Sequence, residues 1–160
     1  MRRARVRRQD EDQKGDVVVV GIGNRWRGDD GIGCKIARLL QEQGWKAIDA
    51  EMVPENFLGV IARENPARVL LVDAGDFGGV AGEFRIFAAD ELGRLNFRGF
   101  STHTLPLNML AKLISSLCGA RVWLLAVQPE SVAAGEELSP VVEAALPQII
   151  DFLRHWREKC

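Results

Sequence analysis

The sequence predicts an α/β fold, a mostly parallel sheet covered by helices, and three observations carry that expectation. Short β-branched runs alternate with segments of helical period from Asp16 onward. Residues 17–22 (VVVVGI) form the continuous apolar run that a central strand buried on both faces requires. The third observation is size: 160 residues, 47% hydrophobic and 27% charged, suit one folded α/β domain with a real core.

The elements follow in order. Gly23 ends the first strand. Beyond the loop GNRWRGDDG, Ile32, Ile36, Leu39 and Leu40 recur at i, i+4, i+7 and i+8, one stripe of a helix that stops near Gly44. Residues 47–52 read as a second strand, 55–63 as a short helix, and 69–72 (VLLV) as a third strand running into Asp73. Residues 84–87 (FRIF) read as a fourth strand, at an edge because alternation turns Arg85 outward. Met109, Leu110, Leu113, Ile114 and Leu117 give residues 105–117 a helical period, and 122–127 (VWLLAV) make a fifth strand. Ser139 and Pro140 suit the N-cap and first residue of a last helix reaching Trp156. Pro147 is expected to kink that helix or to mark its true start.

Charge and cysteine content exclude several functions. A net charge of −1 offers no positive field for nucleic acid or an anionic membrane surface. The apolar runs are shorter than the ~20 residues that cross a bilayer. Cys34, Cys118 and Cys160 fit no CxxC spacing, which argues against structural zinc and for a reducing, cytoplasmic setting. Residues 1–15 hold six basic and three acidic side chains with few apolar ones and read as a disordered tail, leaving 16–160 as a single α/β domain.

Ligands of open α/β sheets bind outside the carboxyl ends of the strands, so polar residues there are the ones that matter. Three loops qualify: GIGNRWRGDDG after the first strand, VDAGD at the end of the third, and STHTLP after the fourth. A dinucleotide reading, with Asp49 as the ribose acid, fails on detail. The third glycine of the fingerprint is replaced by Trp26, and Asp29 and Asp30 oppose a pyrophosphate with like charge. One carboxylate of that pair is expected to cap the following helix, yet two exceed what a cap requires. Asp73 ends a buried run, where bonding to the amides of the next turn is its bland role. His103 stands in a polar cluster just before a helix, an odd place for a packed imidazole, whereas dipole interaction or solvation explains His155. Ser101 and Thr102 beside His103 lack a GxSxG elbow, and Cys34 has the setting of a packed helical thiol. Two carboxylates and an imidazole from separate loops at one sheet edge make a mixed oxygen and nitrogen donor set suited to a borderline metal such as nickel or zinc.

Read together, GIGNRWRGDDGIG, VDAGD, GEFRI, STHTLPLNML and VQPES resemble the nickel–iron hydrogenase maturation endopeptidases, most closely the branch serving formate-hydrogenlyase-type enzymes. The resemblance runs from about Val17 to the last helix. It implies a three-layer αβα domain with a twisted five-stranded sheet between helices. It also implies a cytoplasmic hydrolase that removes a C-terminal peptide from the precursor of a hydrogenase large subunit. The nickel-recognition and catalytic groups carried over are Asp30, Asp73 and His103. Where the family has a glycine pair after the second strand, this chain reads Asp49, Ala50, Glu51, which alters the expected cleft.

In this family the nickel arrives in the precursor, held by cysteine thiolates, so the enzyme itself is expected to be metal-free at rest. Asp30, Asp73 and His103 would complete the coordination and place the scissile bond. Water activation by nickel and by a carboxylate general base are both open. Asn24, Thr102, Thr104 and Gln128 are candidates for orienting these groups. Two other readings are weighed: a non-catalytic nickel-checking or chaperone module for the same precursor, and a small nucleotide-binding protein.

Overall fold

The computed structural model describes residues 16–93 and 105–159. Five strands, β1 (Val17–Gly21), β2 (Ala47–Asp49), β3 (Arg68–Ala74), β4 (Phe84–Ala88) and β5 (Arg121–Val127), form one sheet in the order β2-β1-β3-β5-β4. All neighbours run parallel except β4, which pairs antiparallel with β5 at the edge. The helices are α1 (Ile32–Glu42), α2 (Leu58–Arg63), α3 (Leu107–Cys118) and α4 (Pro140–Glu158).

Strand alternation divides the core into two layers. Val17, Val19, Leu70, Val72, Leu125 and Val127 meet the α1 stripe of Ile32, Ile36 and Leu40 and the α4 stripe of Val142, Ile149 and Leu153. On the other face Val18, Val20, Val69, Leu71 and Leu124 meet Ile61 of α2 and Leu110 and Ile114 of α3. Every residue of β1 and of β3 is buried, as central strands covered on both faces demand. The three-layer αβα expectation holds, and Arg85 is exposed on the edge strand as its alternation predicts.

Three boundaries differ from the sequence reading. β2 ends at Asp49 because Glu51 adopts φ 52° and turns the chain, while the Ala50 amide donates to Gly21 O at 2.8 Å. β3 runs on to Ala74, so Asp73 lies inside the strand. Pro147 neither kinks the element into two nor starts it: α4 continues from Pro140 to Glu158. The ring of Pro147 is exposed, and the buried stripe of Ala145, Leu146, Ile149 and Ile150 spans it, so packing compensates for the missing N–H donor. At its far end α4 is tied to β3 by the buried Arg68, which donates to Trp156 O (3.3 Å) and Arg157 O (2.7 Å) and stacks on the Trp156 ring.

α1 seats against the carboxyl ends of β1 and β3 only because it carries Gly33. A Cβ there would lie 2.3 Å from Val72 O and 2.4 Å from Ile22 O. Helix propensity alone would make Gly33→Ala stabilising by roughly 1 kcal/mol. The expected result is instead a loss of about 1–3 kcal/mol in thermal or denaturant unfolding, because backbone must shift to admit the methyl. A more stable variant would refute this close approach.

Candidate active site at the carboxyl ends of the strands

The chain leaves β1 toward β2 on one side and returns to β3 on the other, so the β1/β3 boundary is the topological switch point at which α/β proteins open a crevice. β1 ends opposite Val72, two residues before the end of β3. Gly21 pairs with Val72, and the Ile22 amide donates to Val72 O at 2.8 Å. Asp73 follows Val72 directly; Asp30 follows β1 in a 3-10 turn, Gly28–Gly31, that leads into α1. Both acids named from the sequence therefore belong to segments at the β1/β3 boundary, Asp73 in β3 itself and Asp30 in the turn that links β1 to α1.

Asp30 is buried, and its Oδ2 accepts the Asn24 amide at 3.0 Å. The turn is drawn tight around it: a Cβ on Gly23 (φ 148°) would lie 1.9 Å from the main-chain oxygen of Asp30. A carboxylate thus occupies the strand-to-helix turn that would cradle a phosphate, which counts against the nucleotide reading. Asn24 serves as the orienting residue expected, its Oδ1 accepting the Trp26 amide at 3.0 Å.

Asp73 is fully buried, at a strand position whose alternation shares a face with Val69 and Leu71. Three amides of the following loop bond other groups: Phe77 N and Gly79 N donate to Gln128 Oε1 (3.0 and 3.1 Å), and Gly78 N to Asp76 Oδ1. Gln128 Nε2 also donates to Asp76 (3.1 Å), so Gln128 fixes the loop after β3.

Asp29 is a correction. It does not cap the helix that follows; neither the Gly28–Gly31 turn nor α1 has a side-chain cap. Its Oδ2 accepts the amides of Glu130 (2.8 Å) and Ser131 (3.0 Å) and the Ser139 hydroxyl (2.7 Å), and its Oδ1 accepts the Ser139 amide (2.7 Å). Burial opposes ionisation, but these donors outweigh it and hold the Asp29 carboxyl below its ordinary range. Asp29 is a buried anionic staple between the β1–α1 loop and the start of α4. Gly28 N to Gly135 O and Gly135 N to Trp26 O, both 2.8 Å, add to the seam.

Sequence reading undervalued Asp49. It stands at the end of β2, bonds the Glu51 amide (3.3 Å), and pairs with Arg38 (3.7 Å). Cys34, packed in α1 as expected, donates to Gly23 O at 3.5 Å. Burial first, then the Asp49 carboxylate, then the charge of Asp73 push its thiol far up, so it is a neutral spacer among the acids and no nucleophile. The signal for Asp49 was its place at a strand end, which counted equally for Asp73.

His103, Ser101, Thr102 and Thr104 lie outside the described residues, as do Cys160 and the segment 1–15. Among the described residues no three His, Cys, Asp or Glu side chains gather closely enough to hold a metal ion. His155 is exposed on α4, its Nδ1 bonded to Asp151 O at 2.8 Å, and serves no site. Among the described residues no helix is long and apolar enough to cross a membrane.

The fold is a three-layer α/β domain that buries two candidate carboxylates, Asp30 and Asp73, near the carboxyl ends of β1 and β3. Comparison with known proteins makes this specific. The hydrogenase maturation protease family profile matches residues 32–156. The Hydrogenase 3 maturation protease of Escherichia coli (strain K12) is 31% identical over 142 residues, 87% of this chain and 89% of that one. The crystal structure of a [NiFe] hydrogenase maturation protease, HycI, from Thermococcus kodakarensis KOD1 superposes with a TM-score of 0.76 at 33% identity, covering 92% of this chain and 97% of that one. The hydrogenase maturating endopeptidase HybD from E. coli gives 0.67 at 27% identity over 88% and 93%. This chain belongs to the hydrogenase maturation protease family and is a peptide hydrolase.

Proposed function

We propose that the protein is the endopeptidase that removes a C-terminal peptide from the nickel-loaded precursor of a [NiFe]-hydrogenase large subunit, with Asp30, Asp73 and His103 meeting the nickel that the precursor carries. The observation that carries this reading is the pair of buried acids, Asp30 in the turn that follows β1 and Asp73 near the carboxyl end of the adjacent β3. His103 precedes by four residues the first residue of α3, Leu107, which packs on the same face of the sheet as Leu71. Nickel is thus part of the substrate, and two carboxylates with an imidazole suit it as added donors.

The chain's own groups divide the work. Asn24 N fixes one oxygen of Asp30, leaving its orientation set before the substrate arrives. Gln128 fixes the loop beyond Asp73, so neither acid must reorganise on docking. Hydrolysis adds the oxygen of a water to the scissile carbonyl carbon and returns a proton to the departing amine. A carboxylate positioned at the bond takes and returns that proton, while nickel supplies Lewis acidity to the carbonyl or the water. The free thiols of Cys34 and Cys118 suit a reducing, cytoplasmic setting.

The test mixes the protein with a large-subunit precursor from the same organism, loaded with nickel or left empty, and weighs the products. Loss of a C-terminal peptide from the loaded form alone is the expected result. A loaded precursor left intact refutes the protease reading, and binding without cutting favours a nickel-checking module.

A further inference from the structure

Beside Asp30 the surface opens into a groove of about 460 Å³, within the ~300–1,000 Å³ span of ligand clefts. Gly31, the residue after Asp30, lines it, so the groove opens beside the turn that carries Asp30, on the α1 and α4 side of the sheet. Arg25, Lys35 and Arg38 line it from the β1–α1 loop and α1; Glu136 and Glu137 from the loop before α4 and Glu143 from the first turn of α4 line it from the other segment. Arg38 is committed to Asp49. Arg25 and Lys35 are not: among the described residues, no ion pair within 4.0 Å joins either of them to the facing glutamates. Arg25 instead lies over the ring of Trp26, 5.1 Å from its centroid, and that indole is 56% exposed at the rim.

Opposed charges held apart across an open cleft leave room for a chain that brings charges of its own. The seam pinned by Asp29 ties the β1–α1 segment to the start of α4 and so fixes the two walls relative to each other. We propose that this groove seats the segment that is cut away, with Arg25 and Lys35 receiving its carboxylates and the glutamate wall receiving its main-chain N–H groups and basic side chains. The inference rests on the protease reading above. A C-terminal fragment necessarily ends in a carboxylate, and a guanidinium and an ammonium are the groups that bind one by charge-assisted hydrogen bonds. The cationic wall thereby selects for the departing side of the bond and fixes the direction in which the precursor threads past Asp30.

The experiment is steady-state cleavage of nickel-loaded precursor by the full-length protein and by Arg25→Gln/Lys35→Gln. Neither side chain is in the core, so the double variant is expected to melt at the wild-type temperature. KM is expected to rise ~10-fold or more with kcat nearly unchanged, the signature of lost ground-state binding. Added salt raises the wild-type KM and leaves that of the variant unmoved. Two altered precursors separate the sources of the carboxylate: one has the acidic side chains of its extension replaced by amides, the other an amidated C-terminus. Whichever abolishes the difference between the two proteins identifies the group bound. Unchanged KM in the double variant, or a rise that persists on both altered precursors, overturns the groove while leaving the protease reading intact. A wild-type protein that leaves every loaded precursor uncut overturns both.

Discussion

Asp29→Ala is expected to cost about 3–4 kcal/mol of stability, read as a lower denaturant midpoint at unchanged slope. The carboxylate is fully buried and accepts four hydrogen bonds from Glu130, Ser131 and Ser139. Truncation leaves amides without an acceptor, each at roughly 1–3 kcal/mol, with neighbouring losses not fully additive. For a chain of this length the thermal midpoint should fall by about 2–4 °C per kcal/mol. Asp29→Asn retains an acceptor for the Glu130 and Ser131 amides but forfeits the charge and sets an amide donor against the Ser139 amide, so it should sit between wild type and alanine. The pH dependence has a definite sign. Because the folded-state carboxyl is held low, its contribution is complete above the ordinary aspartate range and drains away as pH falls toward the lowered value. Wild-type stability should therefore decline more steeply than that of Asp29→Asn between about pH 5 and 3. Equal stability of all three proteins at neutral pH would show that the staple is not needed.

Asp29 also marks the limit of what was legible. Its partners lie 101 to 110 residues away, so nothing local distinguishes it from an ordinary cap. The strands were legible because a run buried on both faces has a composition of its own, as in β1 and β3. The edge position of β4 was legible because one charged residue, Arg85, breaks an apolar alternation. Pro147 misled the reading since a local rule was applied where a buried stripe on both sides of the ring overrides it. The extent of β2 escaped for the opposite reason: a single positive φ at Glu51, invisible in composition, ends the strand three residues early. Strand-end placement selects Asp30 and Asp73, both of which the structure buries. It was not enough to rank Asp49, which meets the thiol of Cys34 from a third strand. The groove was out of reach, since its cationic and anionic residues lie about a hundred positions apart in the chain and are brought together only by tertiary packing of α1 with α4 and by the Asp29 seam.

The largest effect on activity is expected from Asp30→Asn and Asp73→Asn, which should each reduce cleavage of loaded precursor by about 10²–10⁴-fold. Asparagine at 30 keeps an oxygen for the Asn24 amide, now 3.0 Å away, and preserves volume, so unfolding stability should stay within about 1 kcal/mol. His103→Ala should share the cleavage defect. Binding separates the roles these groups take. If they meet the nickel of the precursor, wild type binds loaded precursor more tightly than empty precursor, and each variant binds both alike. A variant that cannot cut but still prefers the loaded form has lost a proton-transfer group and kept metal recognition. If all three behave that way, nickel sensing resides in other residues. A fall in melting temperature of ten degrees or more in both aspartate variants, at roughly 2–4 °C per kcal/mol, would instead make the carboxylates supports of the fold.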